Sequence, residues 1–99
     1  GPAYVFLFIE ALEEAAIELG LPADDARALA LHTVHGAAAL ALRDGAEPAV
    51  LRARVTSKGG TTERGVATFE AQGLRAMVTA AARAAAERAR ELGDQLGSA

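Results

Sequence analysis

The densest cluster of polar groups in this alanine-rich chain is Val55-Thr56-Ser57-Lys58-Gly59-Gly60-Thr61-Thr62-Glu63-Arg64-Gly65. Two adjacent glycines let the backbone take a positive φ or approach a ligand closely. Hydroxyls flank them on both sides. The residues that follow, Gly65-Val66-Ala67-Thr68-Phe69-Glu70, continue a helix that starts at Thr61 or Thr62. Its free N–H groups and positive dipole end would therefore face the loop, which suits an anion. A carboxylate or phosphate could sit against the N–H groups around Gly60, Thr61 and Thr62, while the Ser57 and Thr62 hydroxyls add directional hydrogen bonds. Backbone donors fit this task because they are fixed before the ligand arrives. The same residues also fit a plainer role, in which Thr61 caps the helix and the glycines only turn the chain into it.

Five helical stretches flank this loop. Pro2 is tolerated in a first helical turn, and Val5, Phe8, Ile9, Leu12, Ala16 and Leu19 recur at three- and four-residue steps. They predict a helix to about Leu19, stopped by Gly20 with Pro22 just beyond. Glu10, Glu13, Glu14 and Glu18 are assigned to its solvated face. Asp24 and Asp25 are placed to cap and charge a second helix, from Ala26 to about Arg43. Its inner part, Ala28 to Leu42, has almost no charged face, the pattern of a helix covered on all sides. In a chain this short the expected cover is another subunit. His32 and His35 share a face of it, but zinc normally takes at least three protein ligands, so they read as structural and no metal site is expected. Gly45 ends that helix. Pro48 opens a short one with Val50, Leu51 and Val55 inward and Arg52 and Arg54 outward. Beyond the loop a helix from Thr62 to about Ala71 closes at Gln72-Gly73. The last helix runs from Leu74 to about Leu92, with Met77, Val78, Ala81, Ala85, Ala89 and Leu92 on one face and charged pairs three and four apart on the other. Residues Gly93 to Ala99 are expected to fray. The fold class is all-α, a bundle of about five helices.

Composition narrows the function. The 99 residues carry 10 basic and 13 acidic side chains, a net charge of −3, with the two signs interleaved, which argues against a nucleic-acid surface. With no cysteine there is neither a disulfide framework nor a thiol nucleophile. The apolar run Val5-Phe6-Leu7-Phe8-Ile9 stops at Glu10, too short to span a bilayer. A cytoplasmic location fits best. Hydrophobic residues make up 52% of the chain but aromatics only 4%. At ~25 cal/mol per Å² alanine contributes far less than leucine or phenylalanine, so a monomeric core would be thin and an oligomer is expected.

The spacing of Pro48, Leu51, Val55-Thr56-Ser57, Gly59-Gly60, Thr62, Gly65-Val66 and Phe69-Glu70 resembles the signature of pyrroline-5-carboxylate reductase, the last enzyme of proline biosynthesis. The opening Gly1-Pro2-Ala3-Tyr4-Val5-Phe6, the junction Leu19-Gly20-Leu21-Pro22 and the late Gly73-Leu74-Arg75 extend the likeness over nearly the whole chain. No Rossmann-type glycine fingerprint is present. The resemblance implies that residues 1–99 are the C-terminal dimerisation and substrate-binding domain alone. A nucleotide-binding domain ahead of it would hold NADPH or NADH, leaving no cofactor site in this stretch and no reductase activity for it in isolation. It also implies a homodimer that exchanges helices, with larger rings of dimers open, and a substrate that is a cyclic imine bearing a carboxylate. Ser57, Gly59, Gly60, Thr61 and Thr62 are the implied substrate-binding residues, with Thr62 also in the catalytic role, its hydroxyl near the ring nitrogen. Threonine is a poor general acid, so positioning comes first and proton relay second. Lys58 stands where relatives often have proline, which leaves the loop less stiff, and its ammonium is assigned to solvent. A reading from another class is a non-catalytic helical dimerisation module whose Gly-Gly-Thr-Thr loop binds an anion.

Overall fold

The computed structural model describes residues 1–98, and side chains as far as Gln95. Five helices follow in order: α1 (Pro2–Glu18), α2 (Ala23–Asp44), α3 (Pro48–Arg54), α4 (Thr61–Ala71) and α5 (Leu74–Ser98). No strand occurs among the described residues, so the all-α expectation holds. The helix breaks fall where glycine and proline punctuate the sequence. After α1 the Gly20 N–H donates to the Ile17 carbonyl and the Leu21 N–H to the Ala16 carbonyl, both at 3.0 Å. This is the Schellman arrangement, and Gly20 takes the positive φ of 109° that it requires. Gly45 closes α2 in the left-handed conformation, and Pro48 begins α3.

Several local expectations are corrected. Asp24 and Asp25 do not cap α2: the helix starts earlier, after Pro22 at the N-cap, and neither makes a capping hydrogen bond. They lie in its first turn, where their charge still favours the helix dipole. Glu13 is not on a solvated face. Its side chain is only 18% exposed and accepts a hydrogen bond from Arg27 Nε at 2.9 Å, joining α1 to α2. Thr61 is the first residue of α4 and not its cap, a position held by Gly60. Val50 and Val55 are exposed within the chain, and only Leu51 of that trio is partly covered. The final helix does not end at Leu92 but continues through Gly93 to Ser98. The fraying expected at Ala99 lies outside the described residues.

The chain divides into two compact units, the first Gly1–Arg52 and the second beginning at Ala53. In the first, α1 packs on α2, and the only buried hydrophobic residues are two alanines of α2, Ala26 and Ala30, one turn apart. Ile9, Leu12 and Ala16 of α1 are half-buried. Small side chains at Ala26 and Ala30 permit close helix packing, while Phe6 (63% exposed), Leu7 (66%) and Leu29 (54%) remain outside this seam. In the second unit α4 contacts α5, yet none of its described side chains is buried. Arg75 at the start of α5 donates from Nε to both carboxylate oxygens of Glu70, at 2.8 and 3.1 Å. That hydrogen bond, and then the charge of Glu70, raise the pKa of the exposed Arg75 guanidinium above its ordinary value.

Candidate functional site

The loop between α3 and α4 is a tight turn fused to a helix start. The Gly60 N–H donates to the Ser57 carbonyl at 3.0 Å, closing a four-residue turn with Lys58 and Gly59 at its centre. Gly59 has φ +77°, the value that a type II turn demands of its third residue and that L side chains rarely adopt. Gly60 is extended, with φ −88° and ψ 179°, and serves as N-cap of α4. Its constraint is steric: a Cβ there would lie 3.2 Å from the Ser57 carbonyl oxygen and 3.4 Å from Ser57 Cβ. The glycine pair therefore answers two different requirements, a left-handed backbone at Gly59 and a close approach at Gly60.

The hydrogen-bond donors of this turn divide into engaged and free. The Gly59 N–H is taken by Glu63 Oε1 at 3.0 Å, and the Gly60 N–H by the Ser57 carbonyl. No acceptor within the described chain meets the N–H groups of Thr61, Thr62 and Glu63, the first three of α4, nor the hydroxyls of Ser57, Thr61 and Thr62. Helix geometry leaves such N–H groups without an internal partner, and the dipole gives them a partial positive charge. Of the expected donors, Thr61 and Thr62 keep free amides, whereas Gly59 and Gly60 use theirs to hold the turn.

An open groove of about 330 Å³ runs along one face of α4, lined by Gly59, Gly60, Thr61, Arg64, Gly65 and Thr68. From Thr61 onward the spacing is i, i+3, i+4, i+7, one helical stripe. Gly65 opens its centre, since nothing lies within 4 Å of the position its Cβ would take. The Thr68 hydroxyl is turned back onto the Arg64 carbonyl at 2.9 Å. Gly59, Gly60 and Thr61 thus share a groove, while Ser57 and Thr62 are not among its lining residues. Sequence reasoning missed Glu63, Arg64 and Thr68. For Glu63 the signal was present, a glutamate three residues after the N-cap, the spacing at which a side chain reaches back to the helix entrance. Arg64 and Thr68 follow from helical spacing once Thr61 is placed. Among the described residues no group of three or more His, Cys, Asp or Glu side chains is arranged to hold a metal. No helix there is long and apolar enough to cross a membrane.

The fold and the loop together define a small all-helical domain that leaves most of its large apolar side chains uncovered and offers free N–H groups at one helix head. A family model described as pyrroline-5-carboxylate reductase dimerisation matches residues 1–92, and the chain belongs to that family. It is 48% identical over 97 residues to a pyrroline-5-carboxylate reductase of Pseudomonas aeruginosa, covering 98% of this chain and 36% of that protein. Among solved structures, a pyrroline-5-carboxylate reductase from Coxiella burnetii superposes with a TM-score of 0.90 at 48% identity, over 93% of this chain and 34% of the other. The Plasmodium falciparum pyrroline carboxylate reductase with NADP bound gives 0.86 at 33% identity, over 89% and 36%. The chain spans about a third of the length of the curated relatives it matches.

Proposed function

We propose that this chain is the substrate-binding and dimerisation part of a cytoplasmic pyrroline-5-carboxylate reductase, which reduces a cyclic imine carboxylate to proline. The observation that carries the reading is the head of α4: three unpartnered N–H groups beside the free hydroxyls of Ser57, Thr61 and Thr62, in a chain 48% identical to a reductase across 98% of its length. Reduction of a C=N bond takes a hydride at carbon and a proton at nitrogen. A nicotinamide would supply the hydride. The described residues form no strand–turn–helix cradle for a dinucleotide, so NADPH or NADH is assigned to a nucleotide-binding domain outside this chain.

What these residues do is hold the imine. The Thr61 and Thr62 amides and the Ser57 hydroxyl receive the carboxylate. Gly59 and Gly60 shape the turn that sets those donors in place. The Thr62 hydroxyl stands by the ring nitrogen, orienting the ring first and relaying a proton second. Fixing one face of the imine toward the hydride donor is worth several kcal/mol of the barrier, on the order of the gains that orientation gives in intramolecular reactions.

The partner is a second copy. Burial confined to Ala26 and Ala30 in the first unit, and absent among the described side chains of the second, supports a homodimer in which each chain covers the other, while the exchange of helices rests on the family likeness alone. The test is Thr62→Ala in the full-length protein that contains this chain. Catalytic efficiency should fall by at least about tenfold, the loss of one hydrogen bond used mainly in the transition state, while light scattering still reports the dimer. Unchanged steady-state kinetics would refute the role of Thr62. The 99-residue chain alone should bind no NADPH by calorimetry.

A further inference from the structure

The reading above gives the loop a task, and the inference that follows rests on it. Glu63 is the third residue of α4 and reaches back over the helix entrance to accept the Gly59 N–H at 3.0 Å. The neighbouring N–H, of Gly60, closes the turn onto Ser57. Two successive amides are thus fastened in different ways, one to the helix that follows and one to the turn that precedes. Between them they set the orientation of Ser57 relative to the first turn of α4, where the Thr61 and Thr62 donors lie. Lys58, at the second position of the turn, adds no stiffness of its own, and its N–H has no partner within the described chain.

We propose that Glu63 is a positioning residue for the imine carboxylate: its bond to the Gly59 amide locks the turn Ser57–Gly60 to α4 and holds the donors in their binding arrangement before the ligand arrives. The carboxylate does not touch substrate. It takes the place of a rigid second turn residue, which a lysine does not supply. A helix cap alone would stabilise α4 and leave affinity for the imine unchanged; a lock on the turn makes that affinity depend on the acceptor oxygen. The Glu63 charge also opposes an incoming anion, so the proposal requires the gain in order to outweigh that repulsion.

The experiment uses the full-length protein, assayed with pyrroline-5-carboxylate, in four variants: Glu63→Ala, Glu63→Gln, Glu63→Ala combined with Lys58→Pro, and Thr62→Ala. Loss of one hydrogen bond to backbone corresponds to a rise in the imine KM of roughly three- to tenfold for Glu63→Ala. The KM for the nicotinamide and kcat should stay within about twofold, the usual scatter of a change that removes uniform binding. Glu63→Gln, which keeps the acceptor and removes the charge, should fall much closer to wild type. Lys58→Pro should restore the KM of Glu63→Ala, because proline presets φ at the second position of a type II turn and here displaces no hydrogen bond. The proposal is overturned if Glu63→Ala leaves the imine KM unchanged, if both Glu63 variants lower it, if Gln and Ala behave alike, or if proline fails to restore it. Thr62→Ala separates the two levels: if it is impaired while Glu63→Ala is silent, only the inference about Glu63 fails, and if it too is silent, the functional reading fails with it.

Discussion

Replacing Gly59 with alanine probes the turn at its most constrained torsion. The residue has φ +77° and its Cβ position faces open space, so the whole penalty is backbone strain and none of it is collision. For an L residue the left-handed region costs roughly 1–2 kcal/mol. The loop is exposed and can relax by giving up the Gly59 to Glu63 bond, whose loss at an exposed site costs about 1 kcal/mol, the three- to tenfold effect expected of Glu63→Ala, so escape costs about as much as strain. On either route the binding geometry loses on the order of 1–2 kcal/mol, about five- to thirtyfold in the population of the competent loop and in the apparent affinity for the imine. Gly59→Asn should lose less, because asparagine tolerates the left-handed region. Gly60→Ala provides the contrast. Its torsions suit any residue, and the added methyl must instead displace the Ser57 carbonyl oxygen 3.2 Å away by a few tenths of an ångström. The assay is the imine KM with thermal melts alongside. Gly59→Ala equal to wild type, or Gly59→Asn worse than Gly59→Ala, would refute the torsional account.

Two further outcomes test the packing. Ala26→Leu places a large side chain at a fully buried position in the α1–α2 seam and should destabilise by ~1–3 kcal/mol, the usual cost of overpacking, read as a lowered melting midpoint. Leu29→Glu, on the part of α2 left exposed within the chain, should leave helix content by circular dichroism intact while shifting sedimentation toward the monomer. If each leucine is buried by a partner at about 1.5–3 kcal/mol, the two copies in a symmetric dimer together weaken association by roughly two to four orders of magnitude.

The architecture was legible because glycine and proline act locally. Gly20, Gly45, Gly59 and Gly73 all take positive φ, and each stands where the sequence alone suggested a stop or a turn. Helix starts were less legible. Asp24 and Asp25 looked like caps by type, but Pro22 already has the extended torsions of an N-cap and admits Ala23 to the helix. A smaller displacement at α4, of one residue from Thr61 to Gly60, decides which amides are free, since an N-cap at Gly60 releases Thr61, Thr62 and Glu63. Partners of charged side chains were out of reach for a different reason. That Glu13 meets Arg27 depends on how α1 crosses α2, and that Glu63 folds back onto Gly59 depends on the turn geometry before it. Helical periodicity encodes neither.

The alanine seam between α1 and α2 has a kinetic corollary. A chain whose only buried hydrophobic residues, among those described, are Ala26 and Ala30 has little of its own to condense around, and in the proposed dimer its exposed phenylalanines and leucines find their cover on the second copy. Collapse and encounter then become a single event. Refolding from denaturant should be second order, slowing as the solution is diluted, and the melting midpoint should climb with protein concentration.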